Sequence, residues 1–269
     1  MIKPADLSLD TLWPSLQREA DATARREPLL AVMLDEVILK ASDFGDALAR
    51  LLARKLAGDV PANSLYNLLA ECLAADAEIS RSAQKDILAT LERDPAATSP
   101  LAPFLFFKGY RSLQTYRMAH QLWGAGRCDL ALFLQSRASE LFSVDIHPAA
   151  RIGHGVMLDH ATGIVIGETA VVGNDVSILH NVTLGGTGNE TGDRHPKIGS
   201  DVMIGAGAKI LGNITVGDGA RIAAGSVVLH PVEAHMTVAG IPARVVGKAG
   251  CDRPAAVMDQ TLPKNCIVK

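Results

Sequence analysis

Aromatic residues are scarce, and past Phe142 there are none. All 11 Phe, Trp and Tyr residues lie at or before it, leaving 127 residues with none of the three. A basic excess is missing too: the net charge is −3 and is spread evenly over the chain, which excludes a general nucleic-acid surface. No apolar run approaches the ~18 residues of a membrane-crossing helix. The start, Met1-Ile2-Lys3-Pro4-Ala5-Asp6, carries no apolar signal core, so a cytoplasmic location is expected. The four cysteines, Cys72, Cys128, Cys251 and Cys266, form no CxxC pair and read as free thiols. The glycine-rich stretch from Leu184 to Gly192 has no GK[ST] behind it, which excludes a phosphate-binding P-loop.

What is present divides near residue 143. Of 24 glycines, 19 follow Phe142, as do 29 of the 36 Val and Ile residues. Before it the pattern is amphipathic helix. Leu48, Leu51, Leu52 and Leu56 keep helical spacing, Asp43 to Asp46 offers a cap, and Gly58 with Pro61 a stop. A further helix starts at Asn63, and Ile79 to Glu92 and Tyr110 to Trp123 read the same way, with breaks at Pro28 and from Asp94-Pro95 through Pro103. The Leu and aromatic stripes read as helix packing, and the region as an assembly domain, residues 1–142.

After Phe142 the chain repeats every six residues. Ile146, Ile152, Leu158, Ile164, Ala170, Val176 and Val182 form one series. Ile198, Ile204, Ile210, Val216, Ile222 and Val228 form another, ten residues out of step with the first. Short strands separated by corners, three to a coil of 18 residues, make a triangular β-helix. Allowing for the insertion, residues 144 to 233 supply about 4.4 coils, roughly 20 Å at ordinary strand spacing. The interior of so narrow a prism takes Ile, Val and Leu but has little room for rings in every layer, and its corners suit Gly, Asn and Asp. The fold expected is thus α+β: an all-helical domain, a β-helix over residues 143–247, and a tail, 248–269.

Repeats of this form resemble the left-handed β-helix acyltransferases, and the hand of the coil comes from that resemblance. The strings DIHPAA, LDHATG, VTLGGTG, GDRHPKIG, GAGAKILGNI and AGIPAR, with Arg93-Asp94-Pro95-Ala96 in the helical half, narrow it to the serine O-acetyltransferase family. A serine hydroxyl is a weak nucleophile at neutral pH and needs a general base, which His suits with its unperturbed pKa of ~6.5. The resemblance makes His160 that base and Asp145 its orienting carboxylate. The two are 15 residues apart, not a whole coil, so their meeting depends on how the corner folds. Asp94, Asp159, Arg194 and His195 match the substrate-binding residues: carboxylates for the ammonium of L-serine, Arg for its carboxylate, with His195 also near the reacting hydroxyl.

The resemblance further implies acetyl-CoA as co-substrate in a groove between two prisms, against Gly186, Ala206 and Ala224, with Arg244 at a phosphate. It implies direct transfer without a metal, a site shared between neighbouring subunits of a trimer or dimer of trimers, and feedback inhibition by L-cysteine. Family members bind O-acetylserine sulfhydrylase through a tail ending in Ile; here Ile267 is followed by Val268-Lys269, which argues against that complex. Three readings compete with it: a transferase acting on a sugar or antibiotic hydroxyl, a regulatory scaffold, and a zinc hydratase taking three ligands across a subunit boundary from among His154, His160, His180 and His195.

Overall fold

The computed structural model describes residues 7–188 and 190–261. The N-terminal hexapeptide, Cys266 and the Ile267-Val268-Lys269 end lie outside the described residues. The first half is helical. It runs through α1 (Leu9–Arg26), α2 (Pro28–Leu34), a π-helical turn (Asp35–Leu39), α3 (Phe44–Leu56), α4 (Ala62–Ala75), α5 (Ala77–Arg93), α6 (Leu101–Phe106), α7 (Lys108–Gly124) and α8 (Cys128–Phe142). Local chemistry sets the ends. The Asp43 carboxylate accepts from Asp46 N at 2.9 Å to cap α3, Asp76 caps α5 through Glu78 N, and Pro28 stands in the first turn of α2, where its missing N–H is harmless.

Strands begin at Val144. The first coil is β1 (Val144–Ile146), β2 (Arg151–Ile152) and β3 (Met157–Leu158); the second is β4 (Ile164–Ile166), β5 (Val171–Val172) and β6 (Ser177–Ile178). The third is β7 (Thr183–Gly185), β8 (Lys197–Ile198) and β9 (Met203–Ile204); the fourth is β10 (Lys209–Leu211), β11 (Thr215–Val216) and β12 (Arg221–Ile222). β13 (Val227–Val228), a bridge at Val232 and β14 (Met236–Gly240) complete about five turns, and β15 (Ala243–Lys248) returns antiparallel to β14. Parallel stacking gives three faces: β1-β4-β7-β10-β13, then β2-β5-β8-β11, then β3-β6-β9-β12-β14-β15. The layers inside are aliphatic, with Ile164, Val176, Ile178, Val182, Leu184, Ile204, Ile210, Val216 and Ile222 fully buried. The absence of Phe, Trp and Tyr from this region is thereby accounted for.

The register differs from the six-residue series in one respect that bears on function. Each side of a coil points two residues inward, two apart, such as Val156 with Leu158 and Ile164 with Ile166. Ile146 pairs with Ile166, twenty residues on, whereas Val165 pairs with Thr183, eighteen on. The series therefore passes from one inward column to the other at Ile164. Two insertions replace the single one expected: two residues in the corner at 159–163, and eight between β7 and β8, where Val171 pairs with Lys197.

The helices are fastened to the prism by buried charge. Asp86 on α5 accepts from Arg117 Nη2 at 2.7 Å, from Gln114 Nε2 at 2.9 Å and from Val156 N at 2.9 Å, while Arg117 also donates to Gly153 O at 2.7 Å. Arg93 at the end of α5 donates to Gly155 O at 2.9 Å, and the Tyr116 hydroxyl on α7 donates to Ala150 O at 2.6 Å. Beyond β15, α9 (Pro254–Val257) folds back onto the third face, where Ser177 Oγ donates to Ala255 O at 2.9 Å.

Candidate active site

The two-residue insertion lies at the edge where the third face turns into the first. His160 and Ala161 adopt left-handed backbone, φ 54° and 58°, a conformation that strains a residue with a Cβ by roughly 1–2 kcal/mol. Tight hydrogen bonds hold it: Ala161 N to Asp159 O at 2.6 Å, Thr162 N to His160 O at 2.8 Å, and Gly163 N to Ser143 O at 2.7 Å. Ala161 is buried as a plug, and His160 is thrown outward with its side chain 76% exposed. Backbone strain held by its surroundings at an exposed histidine is a common mark of a working site.

The junction with the helices walls this corner. Asp94, which ends α5, and Lys108 and Gly109, which open α7, face Asp159 and His160 across a pocket of about 440 Å³. Gly109 is needed for this approach, since a Cβ there would stand 2.0 Å from Leu158 O. Lys108 Nζ donates to Thr162 Oγ1, tying the start of α7 to the corner loop. Asp94 also shapes its own segment, where its carboxylate accepts from Ala96 N at 2.8 Å and turns the chain after α5. Asp159 Oδ1 stands 3.9 Å from His160 Nε2.

Asp145 lies on β1, whose neighbour β4 is the strand that follows the corner. Its carboxylate accepts from Gln135 Nε2 on α8 at 2.6 Å, and among the described residues no hydrogen bond joins it to His160. Sequence reasoning does not single out Gln135, Lys108 or Thr162; the first two are remote from the motifs along the chain, and nothing in the sequence signals their approach.

Arg194 and His195 occupy a different edge, where the first face turns into the second. Arg194 Nη2 pairs with Glu168 at 2.7 Å, and this bond holds the Glu168 carboxyl below the usual carboxylate range. His195 is 7% exposed; Thr169 N donates to its Nδ1 at 3.2 Å, and Thr169 Oγ1 lies 2.8 Å from the same nitrogen. Its ring lies over Gly167, where a Cβ would fall 2.0 Å from Nε2. Burial first, and Arg194 second, lower its pKa below the ordinary histidine value. Gly186 backs onto Arg194 at the same edge.

Ala206 and Ala224 stand at the His160 edge, in the corners of later coils; Gly225 N donates to Ala206 O at 2.8 Å. Arg244, exposed on β15, donates to its neighbour Ala243 O at 3.2 Å. The four histidines of the zinc reading divide among three edges: His154 on one, His195 on another, and His160 with His180 on the third. His180 sits directly against His160, with ring centroids 5.8 Å apart.

Comparison with known proteins agrees with this fold. Residues 12–115 match the family described as serine acetyltransferase, N-terminal, and residues 195–230 match the bacterial transferase hexapeptide. The chain is 56% identical over 253 residues to the serine acetyltransferase of Salmonella typhimurium, covering 94% of this chain and 93% of that protein. A structure of a serine acetyltransferase in complex with cysteine superposes with a TM-score of 0.92 at 51% identity, over 94% of this chain and 99% of that one. The serine acetyltransferase of Brucella abortus in complex with coenzyme A superposes with a TM-score of 0.88 at 51% identity, over 90% and 98%.

Proposed function

The chain belongs to the serine acetyltransferase family, and from that premise we propose that the pocket at the strained corner binds L-serine for attack on acetyl-CoA with His160 as general base. As a serine acetyltransferase it is an acetyl-CoA-dependent enzyme that acetylates the serine hydroxyl. The observation that carries the site reading is a pocket that brings Asp94, Asp159 and His160 together from two distant parts of the chain. Two carboxylates suit an ammonium group, and an exposed imidazole suits a hydroxyl proton. The His160 ring takes that proton as the serine oxygen bonds to the acetyl carbon; the tetrahedral centre then expels the CoA sulfur, which takes the proton back. Asp145, on the neighbouring strand, is the carboxylate assigned to orient the ring, a role in which it exchanges its present partner Gln135 for the imidazole. The acyl donor lies along the edge of Ala206 and Ala224, with Gly186 and Arg244 as further contacts. L-Cysteine, which differs from serine by sulfur for oxygen, occupies the same pocket as inhibitor.

A second copy completes the site. Arg194 and His195 occupy another edge from His160, so one chain does not bring them together. Packing of prisms side by side would set that edge of one chain against the His160 edge of the next. The first face offers such a contact, since Val165 and Leu229 on it are 39% and 44% exposed. A trimer, or two trimers joined through the helices, follows; full activity in a species of monomer mass on light scattering would overturn it.

The substrate reading is tested by following free CoA with L-serine, maltose and chloramphenicol as acceptors. Release is expected with serine alone. Release with the sugar or the antibiotic and none with serine would overturn the reading, because neither offers the paired ammonium and carboxylate that Asp94, Asp159 and Arg194 are suited to hold.

A further inference from the structure

His180 is the one histidine at the catalytic edge for which the reaction as described has no use. It follows β6 in the corner beneath His160, and the two rings meet edge to face at 5.8 Å and 76°. Its carbonyl accepts from Gly207 N at 2.9 Å, so the corners of successive coils read His160, His180, Ala206 and Ala224. One large polar ring thus stands between the base and the two methyl-bearing corners. The Nδ1 atom of His180 is buried and has no hydrogen-bond partner, and its ring makes no hydrogen bond among the described residues.

A neutral imidazole carries one N–H. Placing it on the buried Nδ1 would strand a donor away from both protein and water, the rarer and costlier kind of orphan. The proton therefore resides on Nε2, leaving an uncommitted neutral donor next to the base. An acyl group delivered along the Ala206 and Ala224 corners and attacked by a hydroxyl held at His160 brings its carbonyl to the corner that His180 occupies.

We propose that His180 Nε2–H donates to the acyl carbonyl oxygen and stabilises it as the thioester is attacked. This rests on the reading of His160 as base. As the serine oxygen bonds to the carbonyl carbon, its proton passes to His160 and the C=O π pair moves onto the oxygen facing His180. When the C=O re-forms, the C–S bond breaks and the CoA sulfur recovers the proton from His160. His180 keeps its own proton throughout.

The experiment compares kcat and KM for His180→Leu and His180→Gln. Leucine keeps bulk without a donor, whereas glutamine restores a neutral N–H. The leucine variant is expected to lose about 10²-fold in kcat, the usual effect of deleting one oxyanion donor, with KM for serine within about threefold. The glutamine variant is expected to recover most of that loss. A leucine variant within about threefold of native kcat, or a glutamine variant as impaired as the leucine one, overturns the proposal. Should the leucine variant not fold, His180→Ala assayed with added imidazole decides the matter: restored turnover supports the donor role and none overturns it. His160→Ala run alongside separates the failures. Normal turnover there removes the base reading itself, while an inactive His160→Ala beside a normal His180→Leu removes only the donor.

Discussion

Replacing His160 with alanine is expected to lower turnover on serine by at least ~10²-fold while leaving KM for serine within a few-fold of native. The split follows from the division of labour in the pocket. Asp94 and Asp159 face the pocket from two separate elements, and neither depends on the imidazole for its position: Asp94 is held by the turn after α5, and Asp159 by its N–H bond to Ile178 O at 2.8 Å. Binding therefore survives the substitution. What is lost is the acceptor for the hydroxyl proton, and with it the donor to the departing thiolate. His180 does not take over, because its unpartnered Nδ1 is buried. The measurement is steady-state release of CoA at saturating acetyl-CoA. Turnover within a few-fold of native would sink the assignment of the base. A large rise in KM with unchanged kcat would instead make His160 a binding residue.

Much of this arrangement is legible from the residues, and what is not has a physical cause. The helix start at Asp43 and the break at Pro28 are readable because capping and proline geometry are local. The prism is readable because aliphatics recur at a fixed step and Phe, Trp and Tyr are absent. The two-residue insertion at 159–163 is hidden by the same regularity: Ile164 and Ile166 are both buried aliphatics, so a six-residue step lands on a plausible residue in either column. That hidden insertion is what puts His160 into left-handed backbone and out of the wall. The pairing of Arg194 with Glu168 and of His195 with Thr169 is equally out of reach, since it depends on stacking across an irregular coil 26 residues long. Lys108 and Gln135 come to the corner only because α7 and α8 lie against the prism, and no motif announces that.

Asp86→Ala is expected to be the most damaging single substitution for stability, at about 3–5 kcal/mol, the range for breaking a buried charge pair from one side. Asp86 is 1% exposed and the Arg117 side chain 7%. The carboxylate serves four donors at once: Arg117 Nε and Nη2, Gln114 Nε2 and Val156 N. Removing it leaves the guanidinium with only its prism carbonyls, Gly153 O and Ile152 O, and strands the Val156 N–H inside the wall. The consequence reaches the candidate site, because α5 and α7 are the elements that deliver Asp94 and Lys108 to the His160 corner. Thermal and urea unfolding should show the loss directly, and KM for serine should rise at temperatures where the variant is still folded. Asp86→Asn should fall between the two, since its carbonyl can still accept from Val156 N while its amide faces the guanidinium with a donor. Replacing both Asp86 and Arg117 with apolar residues should cost less than Asp86→Ala alone, as no charge is then left unpaired. A loss below about 1 kcal/mol in Asp86→Ala would show that water enters the junction and solvates Arg117, and would remove the clamp as the device that holds the pocket together.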